Sequence, residues 1–193
     1  MTKPFLSEEM RYIYPLTPDS VVIDAGAYMG DSIQEWVARY GCRVIALEPI
    51  PEFYEATKAR FAGNPKAKVL NYALSAYDGE IQIGLSNNSS GLYSTGETKV
   101  KVPAITLKTL MKKEGLDRVD LLKLNIEGSE YAVLEKALTD GLLPKIGVLQ
   151  AQFHWCAPRA EDRYAAIRRS LLTTHDHTWG EDPTLWQSYS LKT

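Results

Sequence analysis

Two cysteines in 193 residues, Cys42 and Cys156, cannot build a disulfide framework or a four-cysteine zinc site. No apolar run approaches the ~18 residues that a membrane span requires, so no membrane partner is expected. The opening Met1–Glu9 stretch lacks the apolar segment of a secretory signal, which makes a soluble cytoplasmic protein the expectation. A charge excess of one sign is also missing. The 22 Lys and Arg against 24 Asp and Glu leave a formal net charge of −2, whereas a nucleic-acid surface calls for a strong basic excess. Nucleic acid is therefore not an expected partner. His175 and His177 are too isolated to argue a metal site, and no metal is expected. Internal repeats and low-complexity tracts are absent, and the length suits one domain over residues 1–193.

What is present is an alternation of short β-rich runs with amphipathic stretches, the pattern of βα units around a largely parallel sheet. Val21-Val22-Ile23 reads as a first strand after a short N-terminal extension (residues 1–19). Ile33, Trp36, Val37 and Tyr40 share one helical face, and Gly41 is placed to end that helix as a left-handed cap. Arg43 to Leu47 is a second strand, followed by a helix through Phe53, Thr57 and Phe61 and a third strand over Val69-Leu70-Asn71-Tyr72. Residues 80–103 read as an antiparallel excursion with a polar tip at Ser86–Gly91. Beyond it come a helix with Leu107, Leu110 and Met111, a strand from Val119 to Leu124, and a helix from Ser129 to Leu138. A strand from Ile146 to Phe153, a helix marked by Tyr164, Ile167 and Leu171, and a closing antiparallel strand from Trp186 to Leu191 complete the order, with another short strand between His175 and Trp179. The expected architecture is a doubly wound, mostly parallel Rossmann-like α/β sheet.

In such a sheet ligands sit outside the carboxyl ends of the strands, near the point where strand order reverses. The first strand runs into Asp24-Ala25-Gly26-Ala27-Tyr28-Met29-Gly30-Asp31-Ser32. A dinucleotide fingerprint ending at Gly30 needs glycines at 25 and 27, and both positions are alanine. The pyrophosphate turn is therefore missing, although glycine still permits close approach to the backbone. Glu48-Pro49 closes the second strand 18 residues after Gly30, where a carboxylate can accept two hydrogen bonds from a ribose diol. A nucleoside without a pyrophosphate is indicated. S-adenosyl-L-methionine fits, with S-adenosyl-L-homocysteine as its product, and Asp24 suits a tail that carries an ammonium.

Three stretches then resemble the FkbM-type methyltransferases of the class I S-adenosylmethionine-dependent fold. Val21 to Ser32 resembles that fold's glycine loop, and Val44-Ile45-Ala46-Leu47-Glu48-Pro49 its ribose-acid strand. Asp120-Leu121-Leu122-Lys123-Leu124-Asn125-Ile126-Glu127-Gly128-Ser129-Glu130 resembles the family's more specific Lys-x-Asp-x-Glu-Gly-x-Glu segment. Asn71 to Ser75, with Asp78-Gly79 behind it, is similar to the family's adenine-side segment. The resemblance covers residues 20 to 154 and implies methyl transfer to a hydroxyl of a sugar or other small metabolite. One position departs from the pattern, with Asn125 standing where the family has Asp. Asn can neither take up a proton nor neutralise a metal, so the resemblance carries no such role here, while a hydrogen bond to cofactor or substrate stays open.

The expected cofactor contacts are Asp24, Gly26, Ala27, Tyr28, Gly30, Asp31, Ser32, Glu48, Pro49, Ala73, Leu74, Ser75 and Asn125. Ser32 suits a helix N-cap as well as a ligand, and Tyr28 either covers the loop or touches the tail. Glu130 reads as a carboxylate complementing the next helix's dipole. Glu127 stands between that role and the active site. His154, at the carboxyl end of the fifth strand of the order, is the candidate general base. Cys156 has no third partner that would make it a nucleophile. Arg159, Arg163, Arg168 and Arg169 read as the solvated side of a helix, and Trp155, Trp179 and Trp186 as core or as an acceptor pocket. Two rival functions stay open: a dinucleotide oxidoreductase, or a module that binds the adenosyl compound without chemistry. The acceptor site is expected to be open, or completed by the Gly84–Gly96 loop or by a second subunit in a homo-oligomer.

Overall fold

The computed structural model describes residues 8–84, 98–182 and 185–193; the Ser86–Gly91 tip and most of the Gly84–Gly96 loop lie outside them. A 3-10 segment, Glu8–Tyr12, leads to β1 (Val21–Ala25), α1 (Asp31–Tyr40), β2 (Arg43–Leu47), α2 (Pro51–Arg60) and β3 (Ala67–Leu70). Then follow β4 (Ala73–Leu74), β5 (Gly79–Gly84), β6 (Lys99–Ile105), α3 (Leu107–Glu114), β7 (Val119–Leu124) and α4 (Glu130–Thr139). The chain ends through β8 (Ile146–Gln152), α5 (Ala160–Thr174), β9 (His175–Trp179) and β10 (Trp186–Leu191).

Seven strands form one sheet in the order β3-β2-β1-β7-β8-β10-β9. The first five of that order are mutually parallel, and β10 runs antiparallel to both neighbours. β1 and β7 bury nearly every residue, since helices cover both faces and neither strand has a solvent side. One face packs Ile23, Ile45, Leu122, Leu124 and Leu149 against α3, α4 and α5. The other packs Val22, Val44, Ala46, Leu121 and Val148 against Trp36 and Ile33 of α1, with Tyr14 and Leu16 from the N-terminal segment. The excursion is a separate three-stranded sheet, with β5 antiparallel to β6 as expected and β4 parallel to it, over a small core of Ile50, Ile81, Ile83 and Val102.

Most expected elements stand where periodicity puts them, and Gly41 caps α1 in the left-handed region. The third strand does not. It covers Ala67–Leu70 rather than running on to Tyr72, because the Asn71 side chain donates to the carbonyls of Glu48 and Pro49 at 2.9 and 3.0 Å and draws the chain off the ladder.

Candidate active site

The chain runs outward from β1 through β2 to β3 and returns to lay β7 on the other side of β1. The loops after β1 and after β7 therefore diverge from one seam, and a crevice opens between them. Their contact is close. Asn125 N–H donates to the Ala25 carbonyl at 3.1 Å, and Gly26 and Ala27 N–H both donate to Leu47 carbonyl at 3.0 and 3.1 Å. Gly26 has φ +81°, and a Cβ there would lie 2.0 Å from the Asn125 carbonyl oxygen. Gly30, at φ +84°, would drive a Cβ to 2.5 Å from Phe61 and 3.0 Å from Thr57. One glycine lets two loops meet, and the other seats the start of α1 on α2. Tyr28 between them takes φ +50°, an uncommon conformation for a bulky residue.

A cavity of about 250 Å³ lies beside this loop, lined by Gly26, Ala27, Tyr28, Asp31, Ser32 and Asn125 among others. Register places Asp24, Lys123 and Gln150 side by side on β1, β7 and β8. Asp24 is wholly buried; its Oδ1 meets Lys123 Nζ at 2.8 Å and its Oδ2 accepts from the Ser32 hydroxyl. Lys123 also donates to the Gly26 carbonyl at 2.7 Å. Ser32 is therefore no N-cap: Gly30 holds that position without a side-chain cap, and the buried carboxylate of Asp24 has drawn the hydroxyl inward. The N-terminal segment walls the far side. Arg11 stacks over Trp186 at 5.0 Å, and its carbonyl accepts from Gln150 Nε2 at 3.0 Å. Asn125 Oδ1 is buried without a hydrogen-bond partner among the described residues.

Glu48 stands at the end of β2, but its carboxylate turns inward. Oε2 accepts Tyr28 N–H at 2.8 Å and Oε1 accepts Ile50 N–H at 3.0 Å. Burial raises its pKa above the ordinary carboxylate value against the pull of those two amides and of Lys123. The Tyr28 ring, half exposed, packs edge-on to Phe53 at 4.6 Å above it. Ala73 and Leu74 are buried in β4, and Ser75 N–H closes on the Ile105 carbonyl at 2.9 Å. Those three do not line the cavity, nor do Gly30 and Pro49, and the carboxylates of Asp24 and Glu48 are buried behind its wall rather than on it.

A second cluster gathers past β7 and β8. Glu130, fully buried at the start of α4, accepts from Ile126 N–H at 2.7 Å, Gly128 N–H at 2.9 Å and His154 Nδ1 at 2.9 Å. It does more than complement the dipole, since it folds the loop and orients the imidazole. Glu127, at φ +53°, brings Oε1 to 3.5 Å from His154 Nε2. Burial pulls the His154 pKa down, but the hydrogen bond and charge of Glu130, with the charge of Glu127, outweigh it and the net shift is upward. Burial raises Glu127, partly countered by His154. Among the described residues no group of three or more His, Cys, Asp or Glu is arranged to hold a metal ion.

The remaining candidates separate cleanly. His175 and His177 are structural, each hydrogen-bonded to a backbone carbonyl at 2.9 Å. Arg163 grips Glu135 of α4 with two hydrogen bonds of 2.7 Å. Trp186 lines the cavity, Trp179 packs on the core and Trp155 is exposed. Reading along the sequence misses Arg11, Tyr12, Lys123 and Gln150 as cavity residues. For Lys123 and Gln150 the available signal was a long polar side chain inside an otherwise apolar strand, pointing to a face that should be dry.

Comparison with known proteins accords with this geometry. The family model described as the methyltransferase FkbM domain matches residues 24–177. No curated protein sequence matches. A Podospora anserina methyltransferase solved with S-adenosylhomocysteine superposes with a TM-score of 0.50 at 12% identity, covering 90% of this chain and 72% of that one. An rRNA methylase from Streptococcus thermophilus superposes at 0.50 with 9% identity, covering 92% and 90% of the two chains. A fibrillarin/Nop5p complex gives 0.53 at 13% identity, covering 92% and 75%. At such identities these structures show a shared fold, whereas the family match spans most of the chain: this protein belongs to the FkbM methyltransferase family, with S-adenosylmethionine as its cofactor.

Proposed function

We propose that the chain methylates a hydroxyl of a sugar or other small metabolite, with His154 as general base and the crevice between the β1 and β7 loops holding the cofactor. The residues present fit that cofactor. Asn125 Oδ1 is an orphaned acceptor at the cavity wall, and Glu48, with one backbone N–H on each carboxylate oxygen, keeps a spare lone pair on each that could accept from a ribose. The cavity is smaller than the ~300–1,000 Å³ of whole-ligand pockets, so it suits one end of the ligand, with the nucleoside toward Glu48. Tyr28, whose amide Glu48 holds, would rim the ribose. When bound, the cofactor supplies an electrophilic methyl group on a sulfonium whose sulfur departs as a neutral thioether.

The protein's tasks are then alignment, exclusion of water and removal of one proton. Alignment of reacting atoms can supply ~7–11 kcal/mol. The proton falls to His154. A carboxylate on Nδ1 can only accept, so Nδ1 carries the hydrogen and Nε2 is the free base. The two carboxylates stabilise the imidazolium that forms as the acceptor oxygen gives up its proton. General-base help of this kind contributes ~10²–10⁴-fold. The observation that carries the reading is this imidazole, oriented by buried Glu130 at the functional edge of the sheet. Its immediate ionised neighbours are Glu127 and Glu130, surroundings that favour an uncharged acceptor over a phosphate.

The family assignment displaces a dinucleotide oxidoreductase. A cofactor-binding module without chemistry keeps one observation, Asn125 in place of Asp. The test is methyl transfer to a panel of sugars and small hydroxyl metabolites. His154→Ala is expected to lose ~10²–10⁴-fold in kcat while S-adenosylhomocysteine binding stays unchanged. Full turnover by that variant, transfer to RNA alone, or cofactor uptake with no transfer to any acceptor overturns the proposal.

A further inference from the structure

Lys123 is a charged residue in the interior of a central strand, its side chain only 7% exposed. Burying an ammonium is unfavourable unless its protons are taken up, and here three acceptors meet it, all from the end of β1 and the start of the loop after it. Asp24 Oδ1 lies at 2.8 Å, the Gly26 carbonyl at 2.7 Å and the Ala25 carbonyl at 3.4 Å. Ala25 carbonyl already accepts from Asn125 N–H, so the strong new bond is to Gly26, the residue whose left-handed turn brings the β1 loop against the β7 loop. The pairing also changes what Asp24 can do. With Lys123 on one oxygen and Ser32 on the other, at zero exposure, Asp24 meets an ammonium supplied by the protein itself rather than one brought by a ligand.

We propose that Lys123 is a positioning residue for the cofactor: its ammonium holds the Gly26 carbonyl and neutralises Asp24, so that the glycine loop is preformed and Asp24 acts only through Lys123 and Ser32. This rests on the reading of the β1–β7 crevice as the cofactor site. An ion pair with a purely structural role makes a different prediction, because replacing both charges with neutral groups of similar volume is often harmless to stability. Such a replacement leaves Gly26 carbonyl without its donor.

The decisive variant is therefore the double substitution Asp24→Asn with Lys123→Met, compared with each single change. Three quantities are read on the whole chain: the thermal midpoint, the Kd for S-adenosylhomocysteine by calorimetry, and amide exchange across residues 26–30 without ligand. Lys123→Met alone strands Asp24 as an unpaired buried anion and can fail to fold, and the double variant removes that problem. The expected result is a double variant with a midpoint near wild type, faster exchange at residues 26–30 with β8 unchanged, and a Kd raised about tenfold or more, tenfold being ~1.4 kcal/mol. Asp24→Asn alone keeps the bond to Gly26 and is expected to raise the Kd less than the double variant. Uptake by the double variant equal to wild type, with unaltered loop exchange, overturns the role of Lys123 and leaves the cofactor site standing. No uptake by the wild type overturns the site itself, and this proposal with it.

Discussion

Gly26 tolerates no side chain in this arrangement, because φ +81° and a backbone oxygen 2.0 Å from any Cβ act together. Gly26→Ala is expected to cost ~2 kcal/mol or more, since the left-handed conformation alone costs about 1–2 kcal/mol. Binding of S-adenosylhomocysteine should go with it, as denaturant unfolding and calorimetry would show. Glu48→Gln keeps an acceptor at the site but removes a charge that burial disfavours. Its NH2 must however face either Tyr28 N–H or Ile50 N–H, so a stability loss of ~1–3 kcal/mol is expected together with a drop in cofactor affinity of about tenfold; undiminished affinity would remove Glu48 from the ribose. His154 has opposite pH signatures in folding and in catalysis. Unfolded histidine titrates near 6.5, and the folded value is raised. The stability that protonated His154 contributes is thus complete below about pH 6.5 and is lost as pH climbs through the folded value. The base, in contrast, is the neutral ring, so kcat should rise with pH through an ionisation above about 6.5. Glu130→Gln should move that ionisation down, whereas a flat profile in both proteins would exclude His154 as the base.

Among the elements, the junction from β7 to α4 depends most on one side chain. Glu130 accepts three N–H groups from Ile126, Gly128 and His154, and it is fully buried. Glu130→Ala strands three donors, each worth ~1–3 kcal/mol when left unsatisfied. A loss of ~3 kcal/mol or more is expected in urea unfolding, and a loss under ~1 kcal/mol would mean that the junction is held elsewhere. The start of α1 shows the same priority of tertiary contact over local preference. Ser32 carries a good capping side chain, yet the helix begins on Gly30 and the hydroxyl goes to Asp24. Asn71 likewise leaves the β3 ladder to bind the carbonyls of Glu48 and Pro49, fixing the turn on which Glu48 sits.

At the scale of the molecule, strand order creates the crevice. A net charge of −2 gives little attraction to a polyanion, and no helix among the described residues is long and apolar enough to cross a membrane. With a small uncharged acceptor, kcat/KM should change by less than about threefold between 50 and 200 mM salt. Several phosphate contacts would instead impose a fall of ~10³–10⁵ over that range, and such a fall would point to a nucleic-acid acceptor.

The amino-acid order by itself determined most of the elements and pointed to the sheet edge at which the candidate site lies. Arg43–Leu47, Val119–Leu124 and Trp186–Leu191 are strands as their periodicity requires, and the glycine loop, Glu48 and His154 each follow a strand. Local patterns carry that information because apolar spacing and turn residues act within a few positions. What the tertiary structure decided is which side chains meet across 20 to 100 positions: Lys123 with Asp24 and Gly26, Glu48 with Tyr28, and His154 with Glu130 and Glu127. Those pairings follow from β2 and β7 flanking β1 and from β8 lying beside β7. A long-range register of this kind is fixed by packing both faces of the sheet at once, and no local spacing encodes it.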